Sequence, residues 1–336
     1  MEAVTVGESE TLSSSGLLAQ LENTALAATR EAAIACQDFV GRGDGKAADG
    51  AATNAMRAEL AAAPGTGRVV IGEGEKDEAP MLFNGECVGD GGQLSFDIAV
   101  DPLECTSLCA AGMPGALTTI AIAEGGSLWE PGPAFYMDKL VARAEARGVI
   151  DINDTPENNL ERVAEALGKA VSDLRVVVLD KPRHEELIDR LRAAGAHVST
   201  PPEGDVGGAL QVLLPHGEAD LLMGIGGTPE GVMTACAAKA LGGVMQGKLA
   251  PQKDDEKQAL EGTDLDRVLE LEDMVKGEAF FVATGVTGGL VAAPRIEDGW
   301  NVTESMVVAA GSVKRVIAHT VPGESNSKAT DGGADS

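Results

Sequence analysis

Seven carboxylates, those of Glu73, Glu75, Asp77, Glu78, Asp97, Asp101 and Glu104, stand at the ends of two strongly apolar runs around residues 69–71 and 98–100. Clustered carboxylates repel one another, and a buried charge persists only when it is paired or bound to a metal. The chain carries 26 Lys+Arg against 53 Asp+Glu, too few bases to neutralise these acids. A hard divalent cation, which takes oxygen ligands, solves the problem, and a cation held by several acids suits metal-assisted chemistry at phosphate.

Individual motifs sharpen this reading. In Asp101-Pro-Leu-Glu104, Pro102 lacks an amide donor and predicts that the preceding strand stops there. Asp101 and Glu104, three apart, can then face one pocket, with the Leu103 carbonyl as a third oxygen ligand. Thr106 offers a hydroxyl that could orient a water. A lone D-P-x-E is more often a capping turn with solvated acids, but a second acidic strand end at Glu73 shifts the balance to metal. Glycines flank Glu73 and let backbone approach a ligand.

The segment 222–230 reads as strand, glycine loop and helix start, with Pro229 in the first turn. Such a loop can hold phosphate on free amides. A dinucleotide fingerprint would need a second strand ending in an acid about twenty residues on, and the chain has Gly242-Gly-Val-Met-Gln-Gly247 there instead. Glu230 at a helix N-terminus is ordinary helix-dipole placement, and in this company a candidate ligand. Lys181 and Arg183 lie just past a predicted parallel strand, where α/β sheets bind ligands. Two cations there could neutralise a phosphate, Arg183 with a bidentate grip. A Cys-x5-Arg phosphate loop and a nucleophilic D-x-D are both absent, which leaves metal-activated water attacking phosphorus directly.

The elements that position these residues are legible in outline. Helices are predicted over 17–40 and about 47–62, and strands over 68–72, 96–100 and 116–123. From 158 onward helices and strands alternate through 241, the βαβ rhythm of a predominantly parallel sheet. Residues 251–275 are acidic and helix-prone, and β-rich stretches follow at 279–284, 289–293, 301–307 and 312–319. The expected organisation is a disordered N-terminus (1–12), a metal-binding α+β subdomain (13–150), an α/β substrate-binding subdomain that lends a metal ligand (151–321), and a disordered tail (322–336).

Composition excludes several functions. A formal charge of −27 suits neither non-specific nucleic-acid binding nor an anionic membrane surface, so neither partner is expected. No apolar run is long enough to span a bilayer, and no basic leader opens the chain. Five cysteines without a C-x-x-C pair fit reduced thiols and a cytoplasmic location. Four scattered histidines without ligand spacing argue against zinc.

Taken in order, GRGDGKAADGAATNAMR (41–57), VVIGEGEKDEAPML (69–82), DIAVDPLECTSLCA (97–110), YMDKL (136–140), DKPRHEELI (180–188), EGDV (203–206), MGIGGTPEGV (223–232) and ATGVTGG (283–289) resemble the class II fructose-1,6-bisphosphatases. That family includes dual fructose-1,6-/sedoheptulose-1,7-bisphosphatases and belongs to the lithium-sensitive phosphatase superfamily. The resemblance implies a layered α-β-α-β-α fold with two sheets and a metal-dependent hydrolysis of the 1-phosphate of fructose 1,6-bisphosphate. It implies two or three Mg²⁺ or Mn²⁺ ions on Asp49, Glu73, Asp101, Glu104 and Glu230. Asp77 falls on the catalytic acid/base position, with Thr106 aligning the attacking water and Glu230 completing the catalytic set. Substrate contacts would fall on Glu104, Cys105, Thr106, Tyr136, Lys181, Pro182, Arg183, Glu203, Gly204, Asp205 and Gly227. A homo-oligomer, dimer or tetramer, is the expected assembly.

The chain departs from the family pattern at three places. Cys105 stands where the family commonly has glycine, so a positive φ there would carry strain, and a thiol beside metals would be sensitive to oxidants. Gly45 stands where lysine is frequent, with Lys46 adjacent, and the 251–265 region is shorter than in many relatives. Two other readings stay open: an inositol-monophosphatase-like enzyme, and an inactive relative that only binds sugar phosphates.

Overall fold

The computed structural model describes residues 14–73 and 82–322. The first half runs α1 (Ser14–Ala35), α2 (Gly45–Leu60), β1 (Thr66–Ile71), β2 (Cys87–Val88), β3 (Ser95–Glu104), α3 (Thr106–Ala111), β4 (Leu117–Glu124) and β5 (Tyr136–Ala142). Next come α4 (Pro156–Leu167), β6 (Arg175–Val177), α5 (Glu185–Ala193), β7 (His197–Ser199), α6 (Asp205–Leu213), β8 (Leu221–Gly227), α7 (Thr228–Leu241) and β9 (Val244–Leu249). The last part holds α8 (Asp254–Ala259), β10 (Leu269–Glu270), α9 (Leu271–Met274), β11 (Ala279–Gly285), β12 (Arg295–Glu297), β13 (Trp300–Ala309) and β14 (Ser312–Thr320).

Two sheets organise the molecule. One has eight strands in the order β12-β13-β11-β4-β3-β1-β2, with β14 on β13; the other has six, in the order β10-β9-β5-β8-β6-β7. The larger sheet therefore takes strands from both ends of the chain. Three apolar cores fix the layering. Leu21 and Met56 of α1 and α2 pack with Ile98, Ile120 and Val282 on the outer face of the larger sheet. Leu160 and Leu191 of α4 and α5 pack with Leu140, Val176 and Leu221 on the outer face of the smaller one. Between the sheets, α6 and α7 are wedged against Ala121, Phe281 and Met306 on one side and Met137, Leu222 and Met245 on the other. The expected α-β-α-β-α order is thus borne out, each fully buried Leu, Phe or Met contributing about 1.5–3 kcal/mol relative to exposure.

The middle layer explains an otherwise odd sequence. A helix that is apolar all round belongs in a core, and Gly231–Ala238 of α7 are buried without interruption. The small residues of this stretch let both sheets approach the helix closely. One end of α7 carries Glu230; at the other, the Gly311 amide of the β13–β14 turn donates to the Ala240 carbonyl at 2.7 Å.

Several elements differ from expectation. Strand β3 does not stop at Pro102. It runs on to Glu104 through an irregularity in its pairing with β4, which passes from Asp101↔Thr119 directly to Glu104↔Leu117. Proline is tolerated there because a bulge has no ladder bond to lose. The smaller sheet is mixed rather than predominantly parallel: β6 pairs in parallel with β7 and β8, whereas β5 is antiparallel to both β8 and β9. Residues 289–293 form bends and irregular backbone, not a strand, and the acidic 251–275 stretch contains only short elements, α8, β10 and α9.

Candidate active site

The cleft forms where the ends of β1, β3 and β8 meet the starts of α2, α3, α6 and α7, and it encloses about 730 Å³. That is the size of a small-molecule site. Asp49, Glu73, Asp101, Glu104, Cys105, Thr106, Tyr136, Lys181, Arg183, Glu203, Gly204, Asp205, Gly227 and Glu230 all line it, and Lys46 joins them. Pro182 is not a lining residue; it opens the short turn that carries Arg183. Asp77, with Glu75 and Glu78, lies outside the described residues. Asp97 lies elsewhere, buried and accepting the Leu128 amide at 3.0 Å.

The irregular end of β3 turns both of its acids into the cleft. Carboxylate oxygens of Asp101, Glu104 and Glu230 all lie within 4.8 Å of one another. Asp49 and Glu73 line the same cleft outside that tight trio, yet close enough to be felt. Burial, then Asp49 and Glu230, pushes Glu73 up to about 7. Burial, then Glu230, does the same to Glu104, also to about 7. Asp101 is raised well above the carboxylate range by burial and Glu104, and burial raises Asp49 and Glu230 as well. Five acids that disfavour one another's charge are a liability without a cation. One more atom fits this reading: Glu230 Oε2 is buried with no hydrogen-bond partner. An all-oxygen set of this kind matches a hard divalent ion.

Glycines here make room for carboxylates. A Cβ at Gly227 would lie 1.7 Å from Glu230 Oε2, and one at Gly226 would lie 1.7 Å from Asp205 Oδ2. The expected glycine loop is instead the end of β8, which runs directly into α7, and its glycines lay two acids flat on bare backbone. Lys139 was missed in the sequence, although a lone lysine inside an apolar strand was a readable signal. It is 1% exposed. Its Nζ donates to Asp205 Oδ2 at 2.5 Å and to the Gly227 carbonyl at 2.9 Å. The Gly227 amide also donates to Asp205 Oδ2, at 3.1 Å. One oxygen of Asp205 is thereby committed to holding the β8–α7 junction.

Cys105 takes the left-handed conformation, with φ 65° and ψ 50°, so the position does require what glycine gives freely. Its thiol fits because residue 204 is glycine: a Cβ there would sit 3.2 Å from the sulfur. Burial first, then Glu104 and Glu203, pushes the thiol far up. A thiol held protonated in this way is a poor nucleophile, which works against the expected oxidant sensitivity. Gly45 is likewise explained by space, since a Cβ would meet Thr106 Cγ2 at 2.8 Å. Thr106 Oγ1 donates to the Leu103 carbonyl at 2.9 Å, so that carbonyl, expected to be wholly free for a metal, already accepts one bond.

The same cleft carries cations. Arg183 donates through Nε and Nη2 to the Ile225 carbonyl at 3.0 and 2.7 Å, and its guanidinium lies 5.3 Å from the centre of the Tyr136 ring. His184 fixes the turn behind it. The Ile225 amide donates to Nε2 at 2.8 Å, which leaves Nδ1–H to donate to the Leu179 carbonyl, also at 2.8 Å. Burial lowers the pKa of this imidazole, keeping it neutral in that role. Lys181 and Arg183 therefore line the same cleft as the acid trio.

A five-layer α/β fold with clustered acids and cations lining one cleft defines a class, the phosphatases that are generally metal-dependent. Comparison with known proteins narrows it. The family model for bacterial fructose-1,6-bisphosphatase, glpX-encoded, matches residues 19–320, and the chain belongs to that family. It is 44% identical over 277 residues to a fructose-1,6-bisphosphatase class 2 of Haemophilus influenzae, covering 78% of this chain and 83% of the relative. It is 40% identical over 320 residues to a D-fructose 1,6-bisphosphatase class 2/sedoheptulose 1,7-bisphosphatase of Synechococcus elongatus, covering 87% and 92%.

Proposed function

We propose that this protein hydrolyses the 1-phosphate of fructose 1,6-bisphosphate to give fructose 6-phosphate, a gluconeogenic step, with sedoheptulose 1,7-bisphosphate as the second substrate to test. The observation that carries the reading is that the Asp101–Glu104–Glu230 trio lines one cleft with Lys181, Arg183 and Tyr136. A monophosphatase has no need of a second pair of cations for a far phosphate, and a mere binder has no need of the acid trio. Family membership favours the same reading over both alternatives.

Asp49, Glu73, Asp101, Glu104 and Glu230 would hold two or three Mg²⁺ or Mn²⁺ ions. Such ions, when bound, neutralise phosphate charge and acidify a water. The rest falls to the chain. Thr106 donates its hydroxyl hydrogen bond to the Leu103 carbonyl, so its lone pairs are free to accept from a water and point it at phosphorus. Asp77 would supply the acid/base function. Lys181, Arg183 and Tyr136 would grip the far phosphate, with Glu203, Gly204, Asp205 and Gly227 shaping the sugar end. Location in the cytoplasm and assembly as a dimer or tetramer belong to the same proposal. Five free cysteines support the first, and sedimentation of the purified protein tests the second. Among the described residues, no helix is long and apolar enough to cross a membrane.

The test is phosphate release from both bisphosphates with Mg²⁺ or Mn²⁺. Release is expected to stop with a chelator and in a folded Asp77→Ala protein. Turnover that ignores the chelator would overturn the metal reading.

A further inference from the structure

The short α8 contains one residue unlike its neighbours. Asp254 and Asp255 are exposed, whereas Glu256 is 1% exposed. No cation pairs with it among the described residues. Instead Oε1 accepts the amides of Phe135 at 2.6 Å and Tyr136 at 2.8 Å, and Oε2 accepts the amide of Gln252 at 2.9 Å. A buried carboxylate is tolerable when amide donors saturate it, and charged acceptors make the stronger hydrogen bonds.

These amides belong to the corner that opens β5. The Tyr136 carbonyl accepts the Ala250 amide at 2.9 Å, and the Phe135 carbonyl accepts the Thr228 amide at 2.9 Å. The backbone on which Tyr136 stands is therefore tied to α8 on one side and to the start of α7 on the other. Its ring in turn carries the Arg183 guanidinium. Phe135, the neighbouring residue, is 59% exposed, so its own side chain adds little packing. Met137 anchors the strand in the core, and the acid fixes the two amides ahead of it.

We propose that Glu256 is a positioning residue that sets Tyr136, and through its ring Arg183, for gripping the second phosphate of the substrate. The inference rests on the bisphosphatase reading, and it assigns the α8 region a task in substrate binding. Such a residue acts on where the substrate is held rather than on the reacting bond, so its loss raises KM more than it lowers kcat.

Tyr136 is the only tyrosine in the chain, which allows a direct readout. Protein labelled with 3-fluorotyrosine gives one fluorine resonance. In Glu256→Ala that resonance is expected to shift or broaden, with KM for fructose 1,6-bisphosphate raised about tenfold and kcat within about threefold. Glu256→Gln, whose carboxamide oxygen can still accept the Phe135 and Tyr136 amides, is expected to recover most of both. Should the alanine protein not fold, Glu256→Asp, one methylene too short to reach the Phe135 and Tyr136 amides, carries the test with the same shift and the same rise in KM expected. An unchanged resonance, an unchanged KM, or a fall confined to kcat in the alanine or aspartate protein would overturn the proposal. Wild-type protein that releases no phosphate would sink the bisphosphatase reading itself, and the resonance, which needs no substrate, then decides whether Glu256 sets Tyr136.

Discussion

Cys105 sits in a conformation that costs an ordinary residue about 1–2 kcal/mol, and it is tolerated because Gly204 leaves space for its sulfur. Cys105→Gly should therefore fold and change stability by no more than about 1 kcal/mol, relief of strain being offset by a freer unfolded chain. Cys105→Val, β-branched at positive φ, should lose about 2 kcal/mol in urea unfolding. The acids allow a second prediction. Glu73 and Glu104 have folded values of about 7 against an ordinary 4.5. Groups raised in this way bind protons more readily when folded, so their contribution is present below about 4.5 and is lost as pH rises through about 7. Metal-free protein should lose stability across that window, and the melting-temperature gain on adding Mn²⁺ should grow from pH 5 to pH 8. A gain independent of pH would count against the acids as ligands. His184, lowered by burial, acts in the opposite sense as pH falls below about 6.5, which is why the difference with and without metal is the quantity to follow. At this scale the sequence told much: four of the five proposed ligands lie at strand or helix ends that its apolar pattern marks. For Lys139 it offered only a lone base in an apolar run and for Glu256 nothing, because burying a charge depends on partners 66 and 120 residues away.

Elements placed these side chains less predictably than residue types suggested. The motif 222–230 was readable as strand, glycine loop and helix, but not the purpose of its glycines. They seat carboxylates, and phosphate on loop amides is not needed to explain them. Gly227→Ala would drive a methyl into Glu230. The expected result is folded protein whose apparent metal affinity falls at least tenfold, read by titrating Mn²⁺ against melting temperature as well as activity. Retention of wild-type affinity would refute the close approach. Pro102 misled for a local reason: its missing donor forbids a regular ladder but not an irregular one. The antiparallel β5 and β9 were hidden because each mixes polar residues (Asp138 and Lys139, Gln246 and Lys248) with apolar ones in no regular alternation.

Across the whole molecule, the layering follows from three faces that each need covering, and the family resemblance supplied it before any contact was known. Charge is the property least used by the fold. With 53 acids against 26 bases, most surface carboxylates have no partner, and self-repulsion opposes the compact state. Stability should rise with monovalent salt up to a few hundred millimolar as that repulsion is screened; a melting temperature that falls with NaCl would show that ion pairs such as Lys314–Glu22 dominate instead.

The unbroken burial of Gly231–Ala238 has a corollary for how this chain can vary. Around those two turns there is no direction in which a longer side chain could escape, and both sheets would have to part to admit one. Random mutagenesis should find this rod nearly as intolerant as the acids themselves, though it performs no chemistry. Drift in the lineage is then left to the outer helices and the rims of the sheets.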